Sequence, residues 1–368
     1  MRIKQIEIFK SPVKLKEPFI ISLGPAYYAE NIIVVIRTDT GIKGYGECSP
    51  LSMINGETID TGFIVGQYLA ENLLGKDPLN IPECHSIMNR TIYGNSSIKS
   101  AFDIALYDVA SQNAVVPLHS FLGGNNRKKL VTDYTVCLSD PASMADNALK
   151  VKERGFRIIK IKLGETGRKD IERVRMIREK VGPEITLRID ANQGWNKAEA
   201  IETLITLEPF NIEFCEEPIP RWDFMELPEI SKKSPIPVMA DESCCDSHDA
   251  RRLIDIGACT HFNVKLGKSA GIYDALKIIH LAEQTGMKIQ MGGFLETRLG
   301  FTASAHLALA GENVRFCDFD TPLMLTEDPV NGGINYKNGG IITVPNVPGL
   351  GATIKQEFLE NLTKTVIC

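Results

Sequence analysis

The chain has 368 residues, 43% of them hydrophobic, and a formal net charge of −5. That length allows about two domains with a large core. Acids and bases are interspersed, so no basic stripe marks a surface for nucleic acid or an anionic membrane.

The opening residues, MRIKQIEIFKSPVKL, alternate like a strand and lack the apolar stretch of a signal peptide. No apolar run reaches the roughly 18 residues of a spanning helix. The nine cysteines include no C-x-x-C pair, and four of them (Cys137, Cys215, Cys259, Cys317) lie in apolar segments. Buried reduced thiols and a cytoplasmic chain are expected. The adjacent Cys244 and Cys245 have no cysteine or histidine cluster beside them that would make a metal site.

Strands are expected near 2–9 and 31–37. The intervening KLKEPFIISLGPAYYAE carries Gly24, Pro25 and several aromatics and reads as a loop. Asp39-Thr40-Gly41 forms a turn into a third strand, IKGYGEC. Helical patterns follow, strongest over 97–112 and ending near Pro117 and Gly123-Gly124. Residues 1–125 thus form an α+β domain with the sheet first.

From about Leu130, apolar strands alternate with amphipathic helices such as 141–154, 170–181 and 197–207. Gly155, Gly182 and Gly257 fall just past helices, where a left-handed residue is common. Eight strands are expected, at 131–136, 158–163, 186–190, 212–216, 237–240, 261–266, 288–291 and 315–319. A doubly wound open sheet would alternate in the same way. Acid-base residues at nearly every strand end favour a closed barrel, in which those ends share one rim. The barrel is assigned to 126–331, and the tail from about 332 to 368 leaves it and packs back on the first domain.

The strand ends carry the chemistry. Lys160 and Lys162 close IIKIKLG, Asp190 lies in LRIDANQ, Glu216 and Glu217 in IEFCEEP, Asp241 and Glu242 in PVMADES, and Lys265 in HFNVKLG. Steps of roughly 24 to 28 residues between them are the length of one βα unit. Each residue alone has an ordinary explanation: a K-x-K pair is commonly a solvated edge, and an acid at a strand end is often a helix cap. In register on one rim they are different. Asp190, Glu216 and Asp241 would repel unless a cation sat among them, and carboxylates without histidine or cysteine favour Mg²⁺. Glu216 is chosen over Glu217 because it shares strand parity with Phe214 and Ile212. Lys160 and Lys162 share a side of their strand, and two neighbouring cations depress each other's pKa, favouring a neutral amine that acts as a base. Lys265 lies across the barrel from Lys162, which places one base on each face of a bound enolate.

Further along, GGFLETRLG carries Glu296 and RFCDFDTP carries Asp318 and Asp320. The two aspartates are two apart and able to face inward together, where they would bind a substrate ammonium; capping of the turn at Pro322 is the plainer alternative. GETGRK and GGNNRK lack P-loop spacing and read as turns.

The ordered set K-I-K-L, R-I-D-A-N-Q-G-W, E-E-P-I-P, A-D-E-S and N-V-K-L-G-K-S resembles the enolase superfamily, in its muconate lactonizing subgroup, over essentially the whole chain. The resemblance implies an α/β fold, a TIM-like (β/α)7β barrel under an N-terminal capping domain. It implies one Mg²⁺ on Asp190, Glu216 and Asp241, acid-base catalysis by Lys162 and Lys265, and Lys160 as electrostatic partner of a substrate carboxylate. The end of the barrel resembles dipeptide epimerases, whose D-x-D signature reads Asp318-Phe319-Asp320 here and binds the dipeptide ammonium. Thr135, in DYTV, sits where those enzymes contact substrate, and Glu296 is placed with the substrate-binding residues.

Two positions depart from the family. E-Q-P of many relatives is E-E-P here. Gly24 stands in the loop FIISLGPAYY where relatives acting on Ala-Glu often carry arginine. That loop, with Gly24 and Tyr27 as contacts, is expected to cover the barrel mouth and select a hydrophobic second residue. The expected activity is Mg²⁺-dependent epimerisation of a dipeptide. The alternative is an o-succinylbenzoate synthase with N-acylamino acid racemase activity, or a muconate-type cycloisomerase. The expected partners are a small-molecule dipeptide and further copies of the chain, with neither nucleic acid nor membrane.

Overall fold

The computed structural model describes residues 1–368. Its N-terminal sheet is antiparallel, with Ile3–Ile21 paired to Gly24–Thr38 and that strand paired to Lys43–Cys48. The stretch expected to be a loop is therefore the upper half of a long hairpin, turning at Ser22 and Leu23. Pro18 and the register shift between Lys14 and Phe19 break the regular pattern that would have announced a strand. The arm is held extended because Val13, Leu15 and Ala29 pack with Leu295 and Leu325 of the barrel.

Helix Ser96–Asn113 lies directly on this sheet. A Cβ at Gly46 would stand 1.9 Å from the Ala101 carbonyl oxygen, and one at Gly44 would stand 2.1 Å from that of Ala105. Only glycine permits so close an approach of strand and helix.

The barrel strands, numbered one to eight here, are Tyr134–Val136, Ile158–Lys162, Thr186–Asp190, Ile212–Glu216, Val238–Ala240, His261–Lys265, Lys288–Gly292 and Val314–Cys317. All pair in parallel and in chain order, and a bridge between Thr132 and Cys317 joins the last strand to the entrance of the first. Expected helices appear as Pro141–Glu153, Gly167–Val181 and Lys197–Thr206. Asp140, Thr166 and Asn196 cap their N-termini, which explains the abrupt starts. Gly155, Gly182 and Gly257 all have positive φ, as their places after helices require. GETGRK, expected to be a turn, is one only over Gly164 and Glu165; Thr166 caps the helix and Gly167 to Lys169 are its first residues. After the barrel the chain returns to the N-terminal sheet, where Lys364–Ile367 pairs antiparallel with the first strand at Ile6 to Phe9.

One apolar cluster of 89 buried residues runs from Ile3 to Leu359, so sheet and barrel share a core. Buried carboxylates from the N-terminal half fasten that junction at the ends of barrel helices. Asp103 accepts from the Ile272 and Tyr273 N–H groups that start helix Ile272–Thr285, and its other oxygen meets His85 Nε2 at 2.6 Å. Glu47 accepts from Thr297 N–H (3.1 Å), Thr297 Oγ1 (2.8 Å), Gly300 N–H (2.8 Å) and Asn31 Nδ2 (2.8 Å). It thereby caps helix Arg298–Ala310, where a negative charge also meets the positive end of the helix dipole. Glu47→Ala would strand all of these buried donors. Its expected cost is about 2–4 kcal/mol of stability, read from urea unfolding, whereas truncating a single exposed carboxylate costs well under 1.

Candidate active site

At the C-terminal rim of the barrel the structure gathers the lysines and acids marked by the sequence. Lys160 and Lys162, on strand two, are 1% and 5% exposed, which confirms their inward orientation. Lys160 Nζ lies 2.8 Å from Glu216, 2.8 Å from Asp318 and 3.1 Å from Asp190. Lys162 Nζ donates to Asp190 at 2.7 Å. On strand six, four places around the barrel from strand two, Lys265 Nζ is 2.6 Å from Asp241. The expected mutual depression of the lysine pKa values does not hold for Lys160. Burial would lower it, but Asp318, Glu216 and Asp190 outweigh burial and hold it well above the ordinary value. For Lys265 likewise, Asp241 and Glu216 overcome burial and hold the ammonium up.

Asp190, Glu216 and Asp241 are fully buried. Glu216 faces the barrel interior, accepting from Asn263 Nδ2 (2.8 Å) and Gln290 Nε2 (3.1 Å). Burial, then Asp190, push its carboxyl up to about 7. Glu217 turns the other way through a left-handed φ of 34° and accepts from the N–H groups of Asp241 and Ser243 and from Ser243 Oγ. It organises the loop after strand five. Burial would also raise Asp241, but Lys265 and Lys268 prevail and hold it far below the carboxylate range. Both oxygens of Asp241 stand within salt-bridge distance of these lysines, yet neither makes a well-directed hydrogen bond. Glu242 Oε2 and Asn192 Oδ1, buried beside them, have no partner either. An all-oxygen set with acceptor capacity left over fits a hard divalent cation such as Mg²⁺.

Several participants went unrecognised in the sequence. Lys268 is buried and donates to the carbonyls of Asp241, Cys244 (3.0 Å) and Asn263 (2.9 Å), fixing the loop that presents Asp241. Asn192, at φ 40°, gives its N–H to Asp190 Oδ1 (2.9 Å) and takes Ser22 Oγ on its carbonyl (2.7 Å), tying the hairpin tip to the rim. Only its place in D-A-N-Q hinted at this; asparagine tolerates the left-handed region better than most residues.

Above the rim is a cavity between barrel and hairpin. Lys162 and Lys265 line it from opposite sides, with Asn192, Glu242, Thr135, Asp318 and Asp320 completing its polar part. Asp318 and Asp320 follow strand eight rather than lying within it. Thr135 N–H donates to Asp320 Oδ2 at 2.6 Å, and burial, then Asp318, push Asp320 up to about 7. The apolar part is formed chiefly by Phe19, Ile21, Ala26, Leu51, Met53 and Ile54, with Gly24 at the hairpin turn.

Two expected contacts lie elsewhere. Tyr27 is 58% exposed and outside the cavity, because it alternates with the inward Ala26. Glu296 is buried below the cavity wall, its carboxylate folded back onto Phe294 N–H at 2.6 Å, so Gly293, Phe294 and Leu295 form the wall instead. Lys160 lies beneath the cavity, enclosed by its carboxylate partners.

Comparison with known proteins agrees with this geometry. Residues 3–123 match the model of the mandelate racemase / muconate lactonizing enzyme N-terminal domain, and 143–358 match that of enolase C-terminal domain-like proteins. The chain is 57% identical over 367 residues to the D-Ala-D/L-Ala epimerase of Cytophaga hutchinsonii, covering 100% of both chains. It is 38% identical over 352 residues to the hydrophobic dipeptide epimerase of Enterococcus faecalis, covering 95% of this chain and 99% of the relative. The crystal structure of the Cytophaga hutchinsonii dipeptide epimerase, complexed with Mg and D-Ala-L-Val, superposes with a TM-score of 0.99 over 100% of both chains. The chain belongs to the mandelate racemase / muconate lactonizing enzyme family of the enolase superfamily.

Proposed function

We propose that this protein is a Mg²⁺-dependent dipeptide epimerase that inverts the α-carbon of the second residue. The observation that carries the reading is one cavity with a lysine on either side and a pair of aspartates at one end. Asp190, Glu216 and Asp241 would hold the Mg²⁺, which when bound supplies positive charge that stabilises a substrate carboxylate as its α-carbon loses a proton. Lys162 Nζ handles the proton of one epimer and Lys265 Nζ that of the other. One lysine removes it while the opposite lysine returns one to the other face, so the stereocentre inverts. The aspartates Asp318 and Asp320 receive the ammonium of the first residue and set its distance from the reacting carbon. They favour a free dipeptide over the acylated or succinylated substrates of the alternative enzymes, which have no ammonium to pair.

The apolar part of the cavity receives the second side chain. Its only cations, Lys162 and Lys265, are the acid-base groups assigned to the α-carbon, so none is left to pair with an acidic second side chain. The Cytophaga hutchinsonii relative bears D-Ala-D/L-Ala in its name and D-Ala-L-Val in its complex. Dipeptides with alanine first and an apolar residue second are the substrate class we assign.

Two measurements test the reading. With Lys162→Ala and Lys265→Ala, epimerisation should stop in each, while each single variant still exchanges the α-proton of one epimer with D₂O through its surviving lysine. Wild-type epimerisation by either variant refutes the two-base assignment. For specificity, kcat/KM for Ala-Val or Ala-Leu should exceed that for Ala-Glu by more than tenfold. A buried methylene contributes about 0.8 kcal/mol, whereas burying an unpaired carboxylate costs several. A preference for Ala-Glu overturns the specificity and leaves the chemistry standing.

A further inference from the structure

Asp133, just ahead of strand one, is completely buried and opens the segment DYTV that carries Thr135, but no role has been given to it above. Its Oδ2 accepts from Arg188 Nη1 at 2.8 Å, while Oδ1 is buried with no hydrogen-bond partner. Asp133, Asp318 and Asp320 each bring a carboxylate oxygen to within 4.8 Å of the other two. The last two line the substrate cavity.

The charges around this cluster do not close locally. Arg188 is shared with Glu213 (2.7 Å), and Lys160 is shared by Asp318, Asp190 and Glu216. Lys162 and Lys265 also act on Asp318, but neither is within salt-bridge distance of it; only Arg188 and Lys160 touch the cluster directly. The other titratable neighbours, Tyr134, Cys137, Cys317 and Tyr336, are neutral, with burial pushing each one up. Two shared cations therefore stand against three carboxylates in a desolvated site, where like charges repel strongly. A single proton relieves this.

We propose that Asp133 is a third member of the substrate-ammonium site, and that the three carboxylates hold one shared proton that passes to solvent when the dipeptide ammonium arrives. The proposal rests on the reading that Asp318 and Asp320 receive that ammonium. The balance is simple. Three carboxylates and one proton face Lys160 and Arg188 in the free enzyme; three carboxylates face three cations once substrate is bound. Burial, then Asp318, hold Asp133 well above the carboxylate range, which makes it the main seat of the proton.

Calorimetry of the Mg²⁺-loaded enzyme tests this. The probe is a dipeptide of D-Ala and α-aminoisobutyrate, which has no α-proton to lose. At pH 6.5 the probe's amine is protonated, and titrations in phosphate and in Tris separate the heat of buffer protonation. About half to one proton should be released per dipeptide bound, and affinity should rise up to about tenfold per pH unit as pH increases below neutrality. Asp133→Asn, which keeps an acceptor for Arg188, should release less than about a fifth of a proton. The N-acetylated probe should release none. Wild-type binding heats that do not depend on buffer overturn the proposal whatever the variant does, as does undiminished release by folded Asp133→Asn or release with the acetylated probe. If the acetylated probe binds as tightly as the free one, the ammonium reading itself falls. If the free probe binds at least tenfold tighter without proton release, only the role of Asp133 falls.

Discussion

Ionised groups taken out of water must compensate one another, and the barrel rim is built under that constraint. Asp190, Glu216, Asp241, Lys160, Lys162, Lys265 and Lys268 are all nearly inaccessible to solvent. Each lysine reaches at least one of these carboxylates within salt-bridge distance. Removing one member would leave a partner buried and uncompensated, which costs more than the pair contributes. The arrangement is therefore poor economy for stability alone. It makes sense as a preorganised field of fixed charges, built to act on charge brought into the site.

That field requires a dry mouth, and the N-terminal sheet supplies it. Its hairpin reaches over the rim, where Ser22 binds Asn192 and Leu138 N–H binds the Ile20 carbonyl at 3.0 Å. The sheet's own position is set by Glu47 and Asp103 at the starts of two barrel helices. These carboxylates do for the junction what Asp140 or Thr166 do within one element, satisfying helix-end N–H groups that would otherwise be buried unpaired. The cover is thus registered against the same helices that carry the strands' neighbours, and hairpin and rim are held as one body.

The barrel was legible in the sequence because each βα unit repeats both its length and its apolar pattern. The rim residues were legible because strand parity decides which side chains face inward. Glu216 and Glu217 show the principle working at one-residue resolution, since a positive φ at Glu217 turns the second acid away. Off the strands this logic lapsed. Tyr27 and Ala26 are neighbours on opposite faces of a hairpin that Pro18 and Gly24 disguised as a loop. Glu296 has the composition of a site residue, but its carboxylate satisfies an N–H two residues back. Lys268 lies beyond its strand end, where no period indicates direction, and Asp133, inside the strand expected at 131–136, falls just before the observed start at Tyr134; their importance comes from carbonyls and carboxylates brought together only by the closed barrel.

The cavity joins two kinds of recognition drawn from different parts of the chain. Barrel strand ends supply the charged residues, Lys162, Lys265, Asp318 and Asp320 among them. The hairpin and the short helix Ser52–Asn55 supply most of the apolar wall. Because the walls are separate, side-chain selectivity can change without disturbing the acid-base groups. Gly24 shows what limits such a change. A Cβ there would meet only Met53 Sδ, at an ordinary 3.5 Å, so space for a side chain exists. Its φ of +131° is the obstacle, since any residue with a Cβ is strained there. Placing an arginine at this point would require the hairpin turn to be rebuilt as well, and the residues lining the cavity beside the present tip, Phe19, Ile21 and Met53 among them, are apolar.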